Sequence, residues 1–305
     1  MPELPDITIY IEALERRIVG QVLEKFRIVD VFVLRTALPP IDSLVGKRVV
    51  NLRRLGKRIL FHFDDEKWLI LHLMIAGRLQ WTEGSGKLVA RNALAHFVFA
   101  NGTLTLTEAG TKHRASLHVV ADEIGLKAHD RDGIDVLNSS LAEFSATLKS
   151  ENHTLKRSLI APHLFSGIGN AYSDEILHAA RMSPVMLTSK LSSEEIARLH
   201  NAVRDVLTAW TERLRREFGS GFPVKVTAFL PEMAVHGKFD QPCPARGTAV
   251  QRIRYAENEV NYCPRCQTGG KLLADRSLSR LLKGDWPRTI DEAEEQTDLP
   301  GMKRI

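Results

Sequence analysis

The stretch His163-Leu-Phe-Ser-Gly-Ile-Gly-Asn-Ala-Tyr-Ser-Asp-Glu175 is the most informative in the chain. Gly167 and Gly169 bracket one isoleucine, and Asn170 opens a predicted helix. Glycines let backbone approach a bulky partner, and the first turn of a helix offers N–H groups suited to a phosphate. Asn170 can cap that helix or contact the phosphate itself. A tight turn between two helices uses glycine for steric reasons alone, so the pattern by itself leaves both readings open.

The surroundings of this stretch, residues 151 to 217, read as helical. Ser192 and Glu195 form a capping box, followed by Ile196, Leu199, Val203, Leu207, Trp210 and Leu214 at helical spacing. Gly219, Gly221 and Pro223 break the pattern, and 224–234 reads as one more short helix or turn. Residues 235–273 contain all three cysteines and read as a hairpin, and Ser277–Lys283 reads as a short basic helix ahead of a mixed-charge tail. Residues 121–150 are a polar connection with a helix near 139–149.

Between residues 22 and 120 the period changes. Short β-like runs appear at Phe26–Leu34, Arg48–Leu52, Ile59–Phe63, Trp68–Leu73, Phe97–Ala100, Leu104–Leu106 and Ser116–Val120. Ala100-Asn-Gly-Thr103 is a hairpin signal. Many strands with short turns predict a sandwich or barrel. Ile7, Tyr10, Ile11, Leu14 and Ile18 share one helical stripe, so residues 6–18 should pack as a helix along its edge.

A chain of 305 residues has room for two cores. Its 42 basic and 37 acidic residues leave a net charge of +5, compatible with a nucleic-acid partner. No apolar run approaches a membrane span and no signal peptide is visible, so a cytoplasmic location without membrane partners is expected. Cys263-Pro-Arg-Cys266 in a reducing compartment suggests metal before disulfide.

The chain starts Met-Pro-Glu-Leu-Pro-Asp. Methionine before a small residue is commonly removed, which would leave Pro2 with a free secondary amine. An α-amino group titrates near pH ~8, so a useful fraction is nucleophilic at neutral pH. Glu3 stands beside it as a candidate proton shuttle, while Pro5 is compatible with a mere first-turn proline.

Pro2-Glu3, the Gly-Ile-Gly-Asn run and a C-terminal cysteine hairpin together resemble the Fpg/Nei family of bifunctional DNA glycosylases. The resemblance covers residues 1–273 and leaves the tail outside. It implies an α+β chain with an N-terminal β-sandwich and edge helix in 1–125 and a linker at 126–150. A helix–two-turn–helix domain would follow in 151–234, a zinc-finger-like β-hairpin in 235–273, and a helix and tail in 274–305. It further implies a monomer that acts on DNA, with no organic cofactor. Pro2 resembles the nucleophile that attacks the sugar C1′, and Glu3 the general acid/base. Lys57 matches a lysine on the lesion's phosphates and His72 a phosphate-contacting histidine. Asn170, Lys156 and Arg157 match DNA-backbone contacts.

The departures from the family matter as much. Asp6 stands where a second glutamate is usual. The pattern Cys-x2-Cys-x16-Cys-x2-Cys is met by Cys243, Cys263 and Cys266, but Arg246 occupies the second place. Guanidinium cannot donate to a metal. His236 can stand in as fourth ligand, or take the place of a phosphate-contacting tyrosine. The expectation is a hairpin held by packing and hydrogen bonds, without stable zinc. Asn258 replaces a hairpin-tip arginine, with Arg252 and Arg254 nearby for phosphates. The intercalation loop becomes Glu108-Ala-Gly-Thr-Lys-His-Arg-Ala115, without its aromatic wedge, although Lys112, His113 and Arg114 can meet backbone. Phe229–His236 is shorter than the loop of members specialised for 8-oxoguanine. The expected activity is therefore glycosylase with β-elimination lyase chemistry, favouring abasic, single-stranded or distorted DNA and oxidised bases other than 8-oxoguanine. The alternative is a catalytically weakened protein that binds damaged DNA.

Overall fold

The computed structural model describes residues 1–84, 91–110, 112–224, 226–227, 229–255, 258–274 and 287–297. Two compact units are present. The first comprises Met1–Asp135, Ser166–Ile168 and Leu207–Ala228, and the second Val136–Phe165, Gly169–Val206 and Phe229–Ile305.

The first unit is a helix with two four-stranded antiparallel sheets. Helix α1 is Leu4–Ile18. One sheet runs in the order β1 (Leu23–Ile28), β6 (Ala93–Phe99), β7 (Gly102–Glu108), β5 (Gly77–Glu83). The other runs β2 (Val49–Leu55), β3 (Arg58–Phe63), β4 (Trp68–His72), β8 (Ser116–Val120). Side chains alternate across a strand. On β3, Ile59, Phe61 and Phe63 therefore join Phe97, Leu104, Leu106 and Leu117 in the main core. Leu60 faces the other way and packs with Trp68, Ile70, Val120 and Leu126 beneath the short helix α2 (Glu123–Lys127). The stripe Ile7, Tyr10, Ile11, Leu14 and Ile18 enters the main core, and α1 lies against β2 and β3.

The structure departs from the sequence reading at two places. Phe26–Leu34 is not one strand: β1 ends at Ile28, where Asp30 accepts the Phe32 N–H at 3.0 Å and starts a 3-10 turn at Val31–Val33. A local side-chain cap offers the backbone an alternative to the ladder. Strand β5, Gly77-Arg-Leu-Gln-Trp-Thr-Glu83, was not anticipated, because only Leu79 along it is a buried large apolar side chain. Of the two forms expected in 224–234, the described residues show a turn, at Pro231–Glu232, and the helix expected at Ser277–Lys283 lies outside the described residues.

The second unit is built on α3 (Leu141–Lys149), α4 (Leu155–Ile160), α5 (Asn170–Ala179) and a hairpin, β9 (Gln251–Tyr255) with β10 (Asn258–Tyr262). A 26-residue helix, α6 (Ser193–Phe218), contributes its first part to this unit and its last turns to the other. The Ser192–Glu195 box is present, each backbone N–H donating to the other's side chain at 2.9 and 3.2 Å. Among the described residues, no helix is long and apolar enough to cross a membrane.

Candidate active site

In the first unit the start of the chain is locked in place. Glu3 caps α1 through a reciprocal box: its N–H donates to Asp6 Oδ2 at 2.8 Å, and its side chain accepts from the Asp6 backbone. Leu4 N–H donates to the Gly167 carbonyl at 3.0 Å. Gly167 has φ +92°, and a Cβ there would lie 2.9 Å from Leu4 Cβ and 3.0 Å from Arg54 Nη1. The bulky partner that the first glycine admits is thus the chain's own N-terminal helix. Arg54 supports the approach, donating to the Gly56 carbonyl at 3.1 Å and pairing with Asp135 at 3.5 Å.

Pro2, Glu3 and Asp6 are all buried. Burial pushes the Asp6 carboxyl up to about 7, with the Glu3 N–H opposing and the Glu3 charge assisting. The N-terminal amine, carried here by Met1, is held below its ordinary value. Burial is the main cause, the charges of Arg78 and Lys57 act the same way, and Glu3 and Asp6 oppose. The structure therefore brings Pro2, Glu3, Asp6 and Lys57 together and adds Arg78. Lys57 sits in the β2–β3 turn after Gly56. Arg78, at the start of β5, donates to the Gly77 carbonyl at 2.6 Å and to that of Ile75 at 3.2 Å. Sequence reasoning missed Arg78 because it missed its strand.

His72 ends β4 opposite Arg58 on one side and Ser116 on the other. Burial, followed by the charges of Arg58, Lys57 and His118, lowers it to about 4. It is neutral at physiological pH, so it can meet a phosphate as an N–H donor but not as a cation. His118, also lowered to about 4, packs edge-on to His129 at 4.8 Å, and Arg58 donates to the His129 carbonyl at 2.6 Å. This cluster escaped the sequence reading, since its members are scattered along β3, β8 and the segment after α2. Lys112 and Arg114 are exposed, on a loop closed by Glu108, which accepts both the Arg114 and Ala115 N–H groups at 2.8 Å.

The second unit holds a separate set. Asn170 opens α5 and donates from Nδ2 to the Glu259 carbonyl of β10 at 3.0 Å. Lys156, expected to grip DNA, is buried instead. Its ammonium donates to the Asn170 carbonyl at 2.7 Å and to Asp174 Oδ1 at 2.6 Å. A buried ammonium needs such partners, so Lys156 positions α5, while its neighbour Arg157 is exposed. His236 is a second correction. Its Nδ1 donates to Asp174 Oδ2 at 2.8 Å, and the ring stacks on Phe229 with centroids 5.5 Å apart. Among the described residues, the histidine gathered with the cysteine thiols is His178 and not His236. Glu175 accepts three N–H groups, from Ala234, Val235 and His236, at 2.8–2.9 Å. On the hairpin, Arg252 lies 3.8 Å over the Phe239 ring and 3.6 Å from Glu259, and Arg254, more exposed, is 3.8 Å from the same carboxylate. Asn258 pairs with Tyr255 at the tip-side end of the ladder.

The thiols of Cys243 and Cys266 are joined by His178 of α5, the three ligand atoms lying within 4.8 Å of one another. The cysteines are not disulfide-bonded. These residues, with Cys263, suit a metal such as zinc. The sequence reading overlooked His178 because it lies 65 positions before Cys243.

Comparison with known proteins agrees with this architecture. The family model for the formamidopyrimidine-DNA glycosylase N-terminal domain matches residues 1–115, and that for the formamidopyrimidine-DNA glycosylase H2TH domain matches 133–216. An uncharacterized formamidopyrimidine-DNA glycosylase-like protein of Mycobacterium tuberculosis is 39% identical over 151 residues, covering 50% of this chain and 94% of its own. The formamidopyrimidine-DNA glycosylase of Variovorax paradoxus is 31% identical over 278 residues, covering 88% of this chain and 100% of its own. The structure of Lactococcus lactis Fpg with DNA containing an abasic site superposes with a TM-score of 0.75 at 23% identity, covering 87% of this chain and 99% of the other.

Proposed function

The chain belongs to the formamidopyrimidine-DNA glycosylase family, a family of DNA-repair glycosylases and abasic-site lyases, and from that premise we propose that Pro2 is its nucleophile once Met1 is removed. The observation that carries this reading is the setting of the chain's start: Pro2 lies buried beside buried Glu3 and Asp6, next to a terminal amine, here that of Met1, which burial holds below its ordinary value. A lowered amine pKa raises the fraction present as free base at neutral pH.

The Pro2 nitrogen attacks C1′ of the damaged nucleotide's sugar. The C1′–N bond breaks, and the base leaves with the bonding pair and a proton. Loss of the amine proton and opening of the sugar give an iminium between Pro2 and C1′. That cation acidifies C2′–H, and removal of this proton expels the 3′-phosphate in β-elimination. Glu3, beside Pro2, is suited to move protons on the sugar oxygen. Asp6, titrating near neutrality, holds the Glu3 backbone and is suited to be a second proton acceptor. Lys57 and Arg78 supply positive charge for the flanking phosphates, and neutral His72 supplies an N–H. Lys112, Arg114 and Arg157 add exposed positive charge for the backbone, with Arg252 and Arg254 on the hairpin. Contacts of this kind set register and salt dependence rather than sequence preference.

The preferred substrates follow from the loop at 108–115. Filling the gap left by an extruded base offsets an unstacking cost of a few kcal/mol. That loop carries Lys112, His113 and Arg114 where an aromatic would serve, and His113 is paired with Asp30 at 2.7 Å. Abasic, single-stranded and distorted sites need less of this compensation, so they are the favoured substrates, with oxidised bases other than 8-oxoguanine. The test compares cleavage of one abasic site placed in single-stranded and in matched duplex DNA. Faster cleavage of the single strand is expected, and a strong preference for intact duplex overturns the assignment.

A further inference from the structure

The three cysteines are one ligand short of a zinc site by the hairpin's own spacing, and the structure assigns the missing ligand to His178, a residue outside the hairpin. We propose a Cys3His zinc site formed by Cys243, Cys263, Cys266 and His178.

The spacings of Cys243, Cys266 and His178 fit the ion. In a tetrahedral site with Zn–S bonds of ~2.3 Å, sulfurs lie ~3.8 Å apart. Cys243 and Cys266 Sγ are 3.8 Å apart, and His178 Nε2 is 3.2 Å from Cys243 Sγ. The Cys263 thiol interacts with both other thiols. Cys243 and Cys263 are each presented by a tight backbone turn. At Cys243 the carbonyl accepts the Gly247 N–H at 2.7 Å, and the Cys243 N–H donates to the Thr248 carbonyl at 2.8 Å. At Cys263 the carbonyl accepts the Gln267 N–H at 3.0 Å, and Gln267 returns a side-chain bond to the Cys263 N–H at 2.8 Å. Val235 and Val250 close the cluster on its apolar side.

Arg246 has a place in this arrangement. It is exposed and cannot ligate, but its charge acts on Cys266. Three thiolates and one imidazole around a dication leave one net negative charge, which that guanidinium offsets.

The site would attach the hairpin to α5 at a second point. Asn170, the first residue of α5, already holds the Glu259 carbonyl of β10, and His178 lies in the last turn. In the middle, Glu175 holds the backbone of 234–236. Just beyond the helix, Gln267 Nε2 donates to the Met182 carbonyl at 3.0 Å, and the site would add a bond from α5 itself.

The experiment is metal analysis of the full chain purified without a metal-affinity step, with cobalt(II) substitution as a spectroscopic readout independent of activity. About one zinc per chain is expected. The cobalt form should show thiolate charge-transfer and tetrahedral d–d bands. His178→Ala should lower zinc content at least tenfold. His178→Cys should keep the metal and move the cobalt bands, because four thiolates replace three and an imidazole. Arg246→Ala should keep zinc. A wild-type chain that contains no zinc and gives no tetrahedral cobalt spectrum overturns the proposal. So does a His178→Cys protein whose cobalt bands coincide with those of wild type. Neither readout depends on whether Pro2 is the nucleophile.

Discussion

Both units bury acidic groups next to basic ones, and they do so in opposite ways. In the second unit, Asp174 takes Lys156 on one oxygen and His236 on the other, while Glu175 takes three backbone N–H groups. Each carboxylate there has a dedicated donor set, and the arrangement holds helix, hairpin and loop together. In the first unit, Asp6 receives a backbone N–H from Glu3, and burial outweighs that bond and raises its pKa to about 7. The amine is displaced in the complementary sense, below its ordinary value. The satisfied cluster is suited to hold shape. The under-compensated one is suited to exchange protons near neutral pH.

The sharpest way to break this contrast is to remove a partner from the satisfied cluster. Lys156→Met leaves Asp174 buried with one cationic partner fewer, and should cost about 3 kcal/mol of stability in urea unfolding. A loss below ~1 kcal/mol, within the range of an exposed ion pair, would mean that the pair is solvated after all.

Gly167→Ala tests the other unit. The added Cβ meets Leu4 and must adopt φ near +92°, so roughly 1–3 kcal/mol should be lost. Since Leu4 N–H is bonded to the Gly167 carbonyl, the chain's start should shift and lyase activity should fall by at least tenfold. Unchanged kinetics at reduced stability would separate the glycine from the site.

Asp6→Asn reads the raised carboxyl directly. The folded pKa of about 7 lies above the unfolded value of ~3.9, so the wild-type group binds more protons folded than unfolded between them. Its contribution to stability is present below pH ~4 and declines as pH rises to about 7. The asparagine should remove that decline and leave a flatter stability profile across this window, followed by thermal unfolding at a series of pH values.

The smallest effects belong to the exposed loop. Lys112→Ala and Arg114→Ala should leave stability within ~0.5 kcal/mol and lower the salt-dependence slope of DNA binding by about one each.

What could be read in the sequence divides along the same line. The helix stripe Ile7 to Ile18, the strand Ser116–Val120 and the Ser192–Glu195 box express local periodicity and capping, and each appears in the structure at that place. Pro2, Glu3 and Lys57 were legible through motif resemblance, and in the structure the charges of Glu3 and Lys57 both act on the amine at the chain's start. Arg78 and His178 were not legible. Arg78 sits on a strand with too few buried side chains to signal itself, and His178 meets Cys243 only through tertiary folding. Lys156 and His236 were misjudged for a related reason. A basic residue near a motif looks solvent-facing until the buried carboxylate that neutralises it, here Asp174, is seen.

The most direct test of the central claim is to trap the processed protein on abasic-site DNA with borohydride and sequence the crosslinked peptide by mass spectrometry. Reduction of the iminium should leave the sugar remnant on the nitrogen of Pro2, in the N-terminal tryptic peptide ending at Arg16. A remnant carried instead by Lys57 or another lysine, with Pro2 unmodified, would contradict the account.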